Sequence, residues 1–186
     1  DDAGIEAVQP QLTDQDYELP LGNGAPLQIP RGTPLYAKDM LLLAVVRENA
    51  GHRPIAWAAS TIQKLYAAPV VQQGLAYVLP IDDQALQDVD RSGVLGLGTS
   101  PIDVGVTTRL MDETWQFGRL WEEDLSGLEP NVAAMARTVS LPYTRLGVAL
   151  LERGASVGAI RRLEAASHLA PDQPGLDDFI RSLRSP

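Results

Sequence analysis

The stretch from Tyr143 to Pro171 constrains this chain more than any other. It reads Tyr143-x-x-Leu146-Gly147-x-x-Leu150, then Gly154, then Ala159-x-x-x-Leu163-x-x-Ala166, and closes at Pro171. Leu146, Leu150, Leu163 and Ala166 recur at helical intervals, so they fall on facing sides of two helices. Gly147 and Ala159 are small, as a close approach of two antiparallel helices demands. Gly154 suits the left-handed position that ends a first helix, Ser156 suits an N-cap for the second, and Pro171 stops it. A single helical pair cannot bury its own apolar face, so the pattern also predicts a body in the same chain for it to rest on.

The same spacing resembles a tetratricopeptide-type repeat, of which one copy is visible. The peptide-clamping face of such a repeat would fall on Leu141, Thr144, Val148, Leu151 and Glu152. These are mostly apolar and suit packing better than gripping a charged tail. Arg145, Arg153, Arg161 and Arg162 are expected outside that face, near Glu152 and Glu164.

Composition bounds the function classes. The chain has 186 residues, 15 basic and 24 acidic, for a net charge of −9. That balance argues against a nucleic-acid groove or a patch for anionic membranes. With no cysteine there is no disulfide frame, thiol nucleophile or thiolate metal site. Uncharged runs such as Leu65–Ile81 carry Pro, Gln and Gly and suit no bilayer span, so the chain is expected to be soluble. It opens on Asp1 with no signal-peptide pattern, which suggests a piece of a longer protein or a processed form.

Three segments follow from the punctuation. Residues 1–30 hold Asp1, Asp2, Glu6, Asp14, Asp16 and Glu18 with no Lys or Arg, and four prolines break any period. They read as an acidic linker or wrap, with Tyr17 and Leu19 as local anchors. Residues 31–100 read as a small α/β subdomain. Leu35–Ala37 is a short strand, Asp39 caps a buried helix through Val46 that ends near Gly51, and Arg53–Ala59 is a strand. Ser60 or Thr61 caps a second helix through Tyr66, and Leu75–Pro80 is a strand. Residues 101–186 read as a helical subdomain packed on it. Val104–Phe117 forms a helix ended by Gly118, and Asn131 starts one that Pro142 kinks or divides. The hairpin and a last helix near Pro174–Leu183 follow. The fold class is α+β: a small, mainly parallel three-stranded layer, then a helical half with one repeat-like hairpin and cap.

Two of these segments carry a family resemblance. Asp39–Leu43 with Asn49, then Arg53-Pro54-Ile55-Ala56-Trp57-Ala58, then Gly74–Pro80, resemble the soluble C-terminal region of a bacterial family of large membrane proteins. That family is catalogued largely as a domain of unknown function and is related to protein O-mannosyltransferase-like, GT-C-type membrane glycosyltransferases. Trp115-Gln116-Phe117-Gly118 resembles the family's Phe-x-x-Gly-like helix end, and tetratricopeptide-like helices close the family's chain. The match covers residues 29–175. Ala56 and Trp57 depart from the family's Tyr-Phe pair, and His52 stands where an aromatic-flanked position is common. The resemblance implies a parent with many transmembrane helices whose acidic catalytic residue lies in the membrane half. It carries no catalytic residue onto this chain and places the soluble part on the periplasmic or outer face.

Chemistry-bearing residues are sparse. His168 reads as a surface partner of its helix end, and His52 sits beside Arg53-Pro54 at a turn. Asp82, Asp83, Asp88 and Asp90 lack the calcium-loop glycine and terminal Glu, so a solvated acidic loop is the plainer account. Gly93, Gly96 and Gly98 lack phosphate-loop spacing. Asp112-Glu113 and Glu122-Glu123-Asp124 are adjacent on helices and do not face each other. The flat rings of Trp57, Tyr77, Trp115 and Trp121 are the candidate binding residues, since sugars stack on such rings, with core packing as the competing account. No catalytic, cofactor or metal set is expected. The function expected is a non-catalytic extracytoplasmic domain tethered to a glycosyltransferase-like membrane half, contacting an acceptor polypeptide or a neighbouring protein, and no nucleic acid. An independent periplasmic interaction module is the alternative, and a small hydrolase stands behind both.

Overall fold

The computed structural model describes residues 9–21, 26–59, 70–80, 89–90, 101–121, 125 and 127–185. The fold mixes helices with small sheets. The chain divides into two compact units: residues 1–56, 64–69 and 79–85 form unit 1; residues 57–63, 70–78 and 86–186 form unit 2.

In unit 1, the acidic N-terminal stretch forms antiparallel ribbons. Strand β1 (Gln11–Leu12) pairs with β4 (Pro34–Leu35), and β2 (Tyr17–Leu19) pairs with β3 (Leu27–Ile29). Thr13 ties β1 to the turn before β4. Its hydroxyl donates to Pro30 O at 2.7 Å and accepts from Thr33 N–H at 2.9 Å. Leu21, Leu27, Ile29 and Val46 are buried. Helix α1 (Ala37–Asn49) has its N-cap at Tyr36, three residues earlier than the sequence predicts. Asp39 still serves the helix start from its third position, accepting Tyr36 N–H at 2.9 Å. The predicted burial of α1 is overturned: only Asp39 and Val46 are buried along it. The predicted strand at Leu35 is shorter and belongs to the ribbon with β1.

A further sheet has the order β5–β7–β6–β9–β8. Its strands are β5 (Ile55–Ala58), β6 (Val71–Gln73), β7 (Ala76–Leu79), β8 (Val89–Asp90) and β9 (Ile102–Asp103). The expected mainly parallel, three-stranded layer is corrected here. Strands β6 and β7 are antiparallel, as are β8 and β9, and only β6–β9 is parallel among the strand pairs whose register is described. The cause is local. Gly74-Leu75 joins β6 to β7 in a two-residue turn, which permits only an antiparallel return. Gly74 takes φ +60°, a left-handed conformation that favours glycine. The loop expected over 82–100 contains β8; the rest of it, and the helix expected at 60–66, lie outside the described residues.

After β9, Asp103 caps α2 (Val104–Arg109) by accepting Val106 N–H at 2.9 Å. The predicted helix to Phe117 instead widens into a π turn at Leu110–Thr114 and stops at Trp115, whose N–H meets Leu110 O at 2.8 Å. A short 3₁₀ turn spans Gly118–Trp121.

Helix α3 (Pro130–Glu152) runs through Pro142 without being divided there, which leaves the kink of the two expected outcomes. The proline removes the donor that would meet Thr138 O, and two hydroxyls of the neighbouring turns bond back to other carbonyls. Ser140 Oγ donates to Arg137 O and Thr144 Oγ to Ser140 O, at 2.8 and 3.2 Å. At the end of α3, Gly154 N–H bonds Leu151 O and Ala155 N–H bonds Leu150 O, both at 2.9 Å. With Gly154 at φ +76°, this is a Schellman closure. Helix α4 (Ser156–Leu169) then begins, with Ala155 at the N-cap position rather than Ser156. Helix α5 (Leu176–Arg184) buries Leu176 and Ile180.

The close approach is where the spacing put it. A Cβ on Gly147 would lie 2.7 Å from Leu163 Cγ and 3.2 Å from Ala159 O. Leu146, Ala159, Leu163 and Ala166 are fully enclosed, and one core joins Leu146, Leu163 and Ala166 to Ile102, Met111, Tyr143, Leu176 and Ile180. Helix α3 packs on α4, α2 and β9.

Candidate functional site

The polar centre of unit 2 grows from an arginine that the helical pattern alone leaves outside. Arg145 lies three residues before Val148 and four before Ala149, on the buried stripe of α3, and is 8% exposed. Its guanidinium donates to Gln72 Oε1 on β6 and to Tyr77 Oη on β7, the latter at 3.3 Å. Gln72 is completely buried; its Nε2 donates to Gly74 O at 2.9 Å. Gly74 N–H in turn donates to the buried Thr107 hydroxyl on α2 at 3.1 Å. Asp103 accepts from Gln73 Nε2 at 3.2 Å with the oxygen that does not cap α2. The network therefore joins α3, the β6–β7 hairpin and the start of α2. A guanidinium carries several N–H donors in a fixed fork and no acceptor, so it supplies direction to this network. Buried charge is tolerated only with such partners, which makes the network a fixing device for α3 on the sheet.

Sequence spacing missed Arg145, Gln72, Thr107 and Asp103. Arg145 is the one charged residue inside Tyr143–Leu151, at helical distance from apolar positions, which fixes its place on the helix but not its burial.

Beside the network runs a row of rings. Phe117 meets Trp115 at 5.3 Å between centroids, Trp115 meets Tyr143 at 6.5 Å, and Tyr143 meets Trp121 edge-on at 5.6 Å. His168 stacks on Trp121 at 5.7 Å, and its Nε2 lies 2.8 Å from Leu120 O. Asp112 and Arg162 form an ion pair at 2.6 Å, and the hydrogen bond from that guanidinium holds the Asp112 carboxyl below the usual carboxylate range. Burial pushes the Tyr143 phenol up.

Of the candidate ring residues, the structure brings Trp115 and Trp121 together through Tyr143. Tyr77 is buried with its hydroxyl on Arg145, and Trp57 sits half-buried on β5. Trp115 also lies over Gly74: a Cβ there would come within 2.5 Å of its ring. Trp121, 39% exposed, is more open than Trp115, Phe117 and Tyr143, and the His168 ring stacked on it is exposed as well.

A cleft of about 420 Å³ opens at the start of α3, lined by Leu125, Leu128, Ala133, Ala136 and Leu169. Arg137 and Asp172 pair across its rim at 2.5 Å. Among the described residues, no group of three or more His, Asp or Glu side chains gathers as metal ligands, and no helix is long and apolar enough to cross a membrane. The acidic runs at 82–88 and 122–124, and the glycines at 93–98, lie outside the described residues.

Comparison with protein-family models, curated proteins and solved structures finds no match to this chain.

Proposed function

We propose that this chain is a non-catalytic extracytoplasmic accessory domain of a glycosyltransferase-like membrane protein, holding an acceptor polypeptide or a partner near the membrane-embedded site. In this reading α3 and α4 are one tetratricopeptide-like repeat and α5 is its cap. The observation that carries it is the Arg145–Gln72–Tyr77 network. It commits the polar groups at the heart of unit 2 to fixing the helical pair on the sheet, as a positioning frame requires. The ordered motifs from Asp39 to Gly118 supply the membrane-glycosyltransferase context.

The test is the parent reading frame together with the isolated chain. A run of transmembrane helices encoded in frame ahead of Asp1 is the expected result; a frame without one overturns the membrane setting. Turnover of generic ester or glycoside substrates by the purified chain, abolished by a point substitution, would overturn the non-catalytic role.

A further inference from the structure

Helix α1 is apolar on every side, from Met40 through Val46, yet little of it is covered. Met40, which lines a groove on this helix, is 48% exposed; Leu41 and Val45, at 68% and 49%, lie outside that groove. A helix apolar all round is ordinarily enclosed, and contiguous exposed apolar surface marks a place where something binds. On one side of α1 the surface is concave. Met40, Leu43 and Ala44 form one wall of a groove of about 720 Å³, and Leu12, Tyr17 and Leu19 of the ribbons form the other. Leu12 is 68% exposed. All of these residues belong to unit 1.

The rim identifies the occupant. Asp14 and Glu18 border the groove on the ribbon side. Tyr17 donates its hydroxyl to Asp14 at 2.6 Å, and Gln28 donates to Glu18 at 2.7 Å, so both carboxylates are held in place. On the helix side stands Arg47, already paired with Glu48 at 2.9 Å. The first 30 residues contain no Lys or Arg. We propose that this groove docks an apolar peptide segment carrying lysine or arginine at its flank, with the apolar side chains against Leu12, Met40 and Leu43 and the cation against Asp14 and Glu18. An anionic membrane meets the wrong sign of charge here. A second copy docked face to face would bring two acidic rims together. The groove adds a place and a chemistry to the accessory-domain reading and rests on that reading only for its biological setting.

A fluorescein-labelled leucine–lysine peptide, titrated into the purified chain by anisotropy, tests it directly. Saturable binding is expected, absent for the leucine–glutamate counterpart and weakened by salt. Asp14→Asn with Glu18→Gln should weaken it several-fold, roughly threefold or more, without touching the apolar lining. Leu12→Asp or Met40→Asp should weaken it about tenfold or more. Leu41→Asp, on α1 but outside the groove, should leave it unchanged. Circular dichroism confirms that each variant is folded. Equal affinity for both peptides overturns the proposal, as does indifference to the carboxylate pair. So does uptake onto phosphatidylserine vesicles, or a dimer in sedimentation velocity, that Leu12→Asp abolishes. None of these outcomes depends on what precedes Asp1, so the groove and the membrane setting fail separately.

Discussion

Arg145 on α3 donates to the side-chain oxygen of Gln72 on β6, 73 positions earlier in the chain, and both side chains are buried. Removing either partner leaves the other short of a bond inside the core. Gln72→Ala and Arg145→Met should each cost about 1–3 kcal/mol in urea unfolding. The double replacement Arg145→Met with Gln72→Leu should recover part of that loss, because an apolar pair leaves nothing unsatisfied. A double-mutant cycle with no coupling would show that the contact contributes nothing.

Gly147 gives a test of sign. On an open helix face, Gly147→Ala would stabilise by about 1 kcal/mol through helix propensity. Here the added Cβ meets Leu163 Cγ at 2.7 Å, so the substitution should instead destabilise by about 1–3 kcal/mol. The urea midpoint decides between them.

Gly74→Ala combines two penalties, a left-handed backbone and a ring 2.5 Å from the new methyl. The loss should exceed about 2 kcal/mol, with a changed tryptophan fluorescence as Trp115 is displaced.

The Asp112–Arg162 pair predicts an acid dependence. The folded pKa of Asp112 is depressed below its ordinary 3.8, so its contribution is present above that value and is lost as pH falls through the folded pKa. Asp112 is largely exposed, so solvent screening keeps the contribution to about 0–1 kcal/mol. Wild type and Asp112→Asn should differ at neutral pH and converge in acid, measured by urea unfolding across pH.

Tyr143 predicts the opposite edge. Burial raises its phenol above the ordinary 10.0, so the folded state favours the protonated form. The stability this represents is complete below pH 10.0 and is lost as pH rises through the folded value. Ultraviolet titration should show Tyr143 ionising late alongside Tyr17, whose phenol is raised by its bond to Asp14, and Tyr143→Phe should remove one tyrosine from that late phase.

The helical pair is legible in the sequence because its determinants are local. Gly154 must turn left-handed, and Leu146, Leu163 and Ala166 sit at intervals only a helix brings to one face. The continuity of α3 through Pro142 was not legible, because a proline inside a helical pattern signals a kink and a break alike. Strand β6 was missed because Gln72-Gln73 looks like solvent-facing polarity. Gln72 is in fact enclosed, its amide oxygen meeting an arginine from α3.

By itself the sequence determined the acid balance, the α3–α4 break and the close approach at Gly147, since each depends on residues a few turns apart. Only the tertiary structure decided that Arg145 goes inside and that Leu41, in the longest aliphatic run, stays out. Burial is set by what other segments bring to a residue, and a buried charge or an uncovered leucine is therefore a property of the assembled chain rather than of its neighbours in sequence.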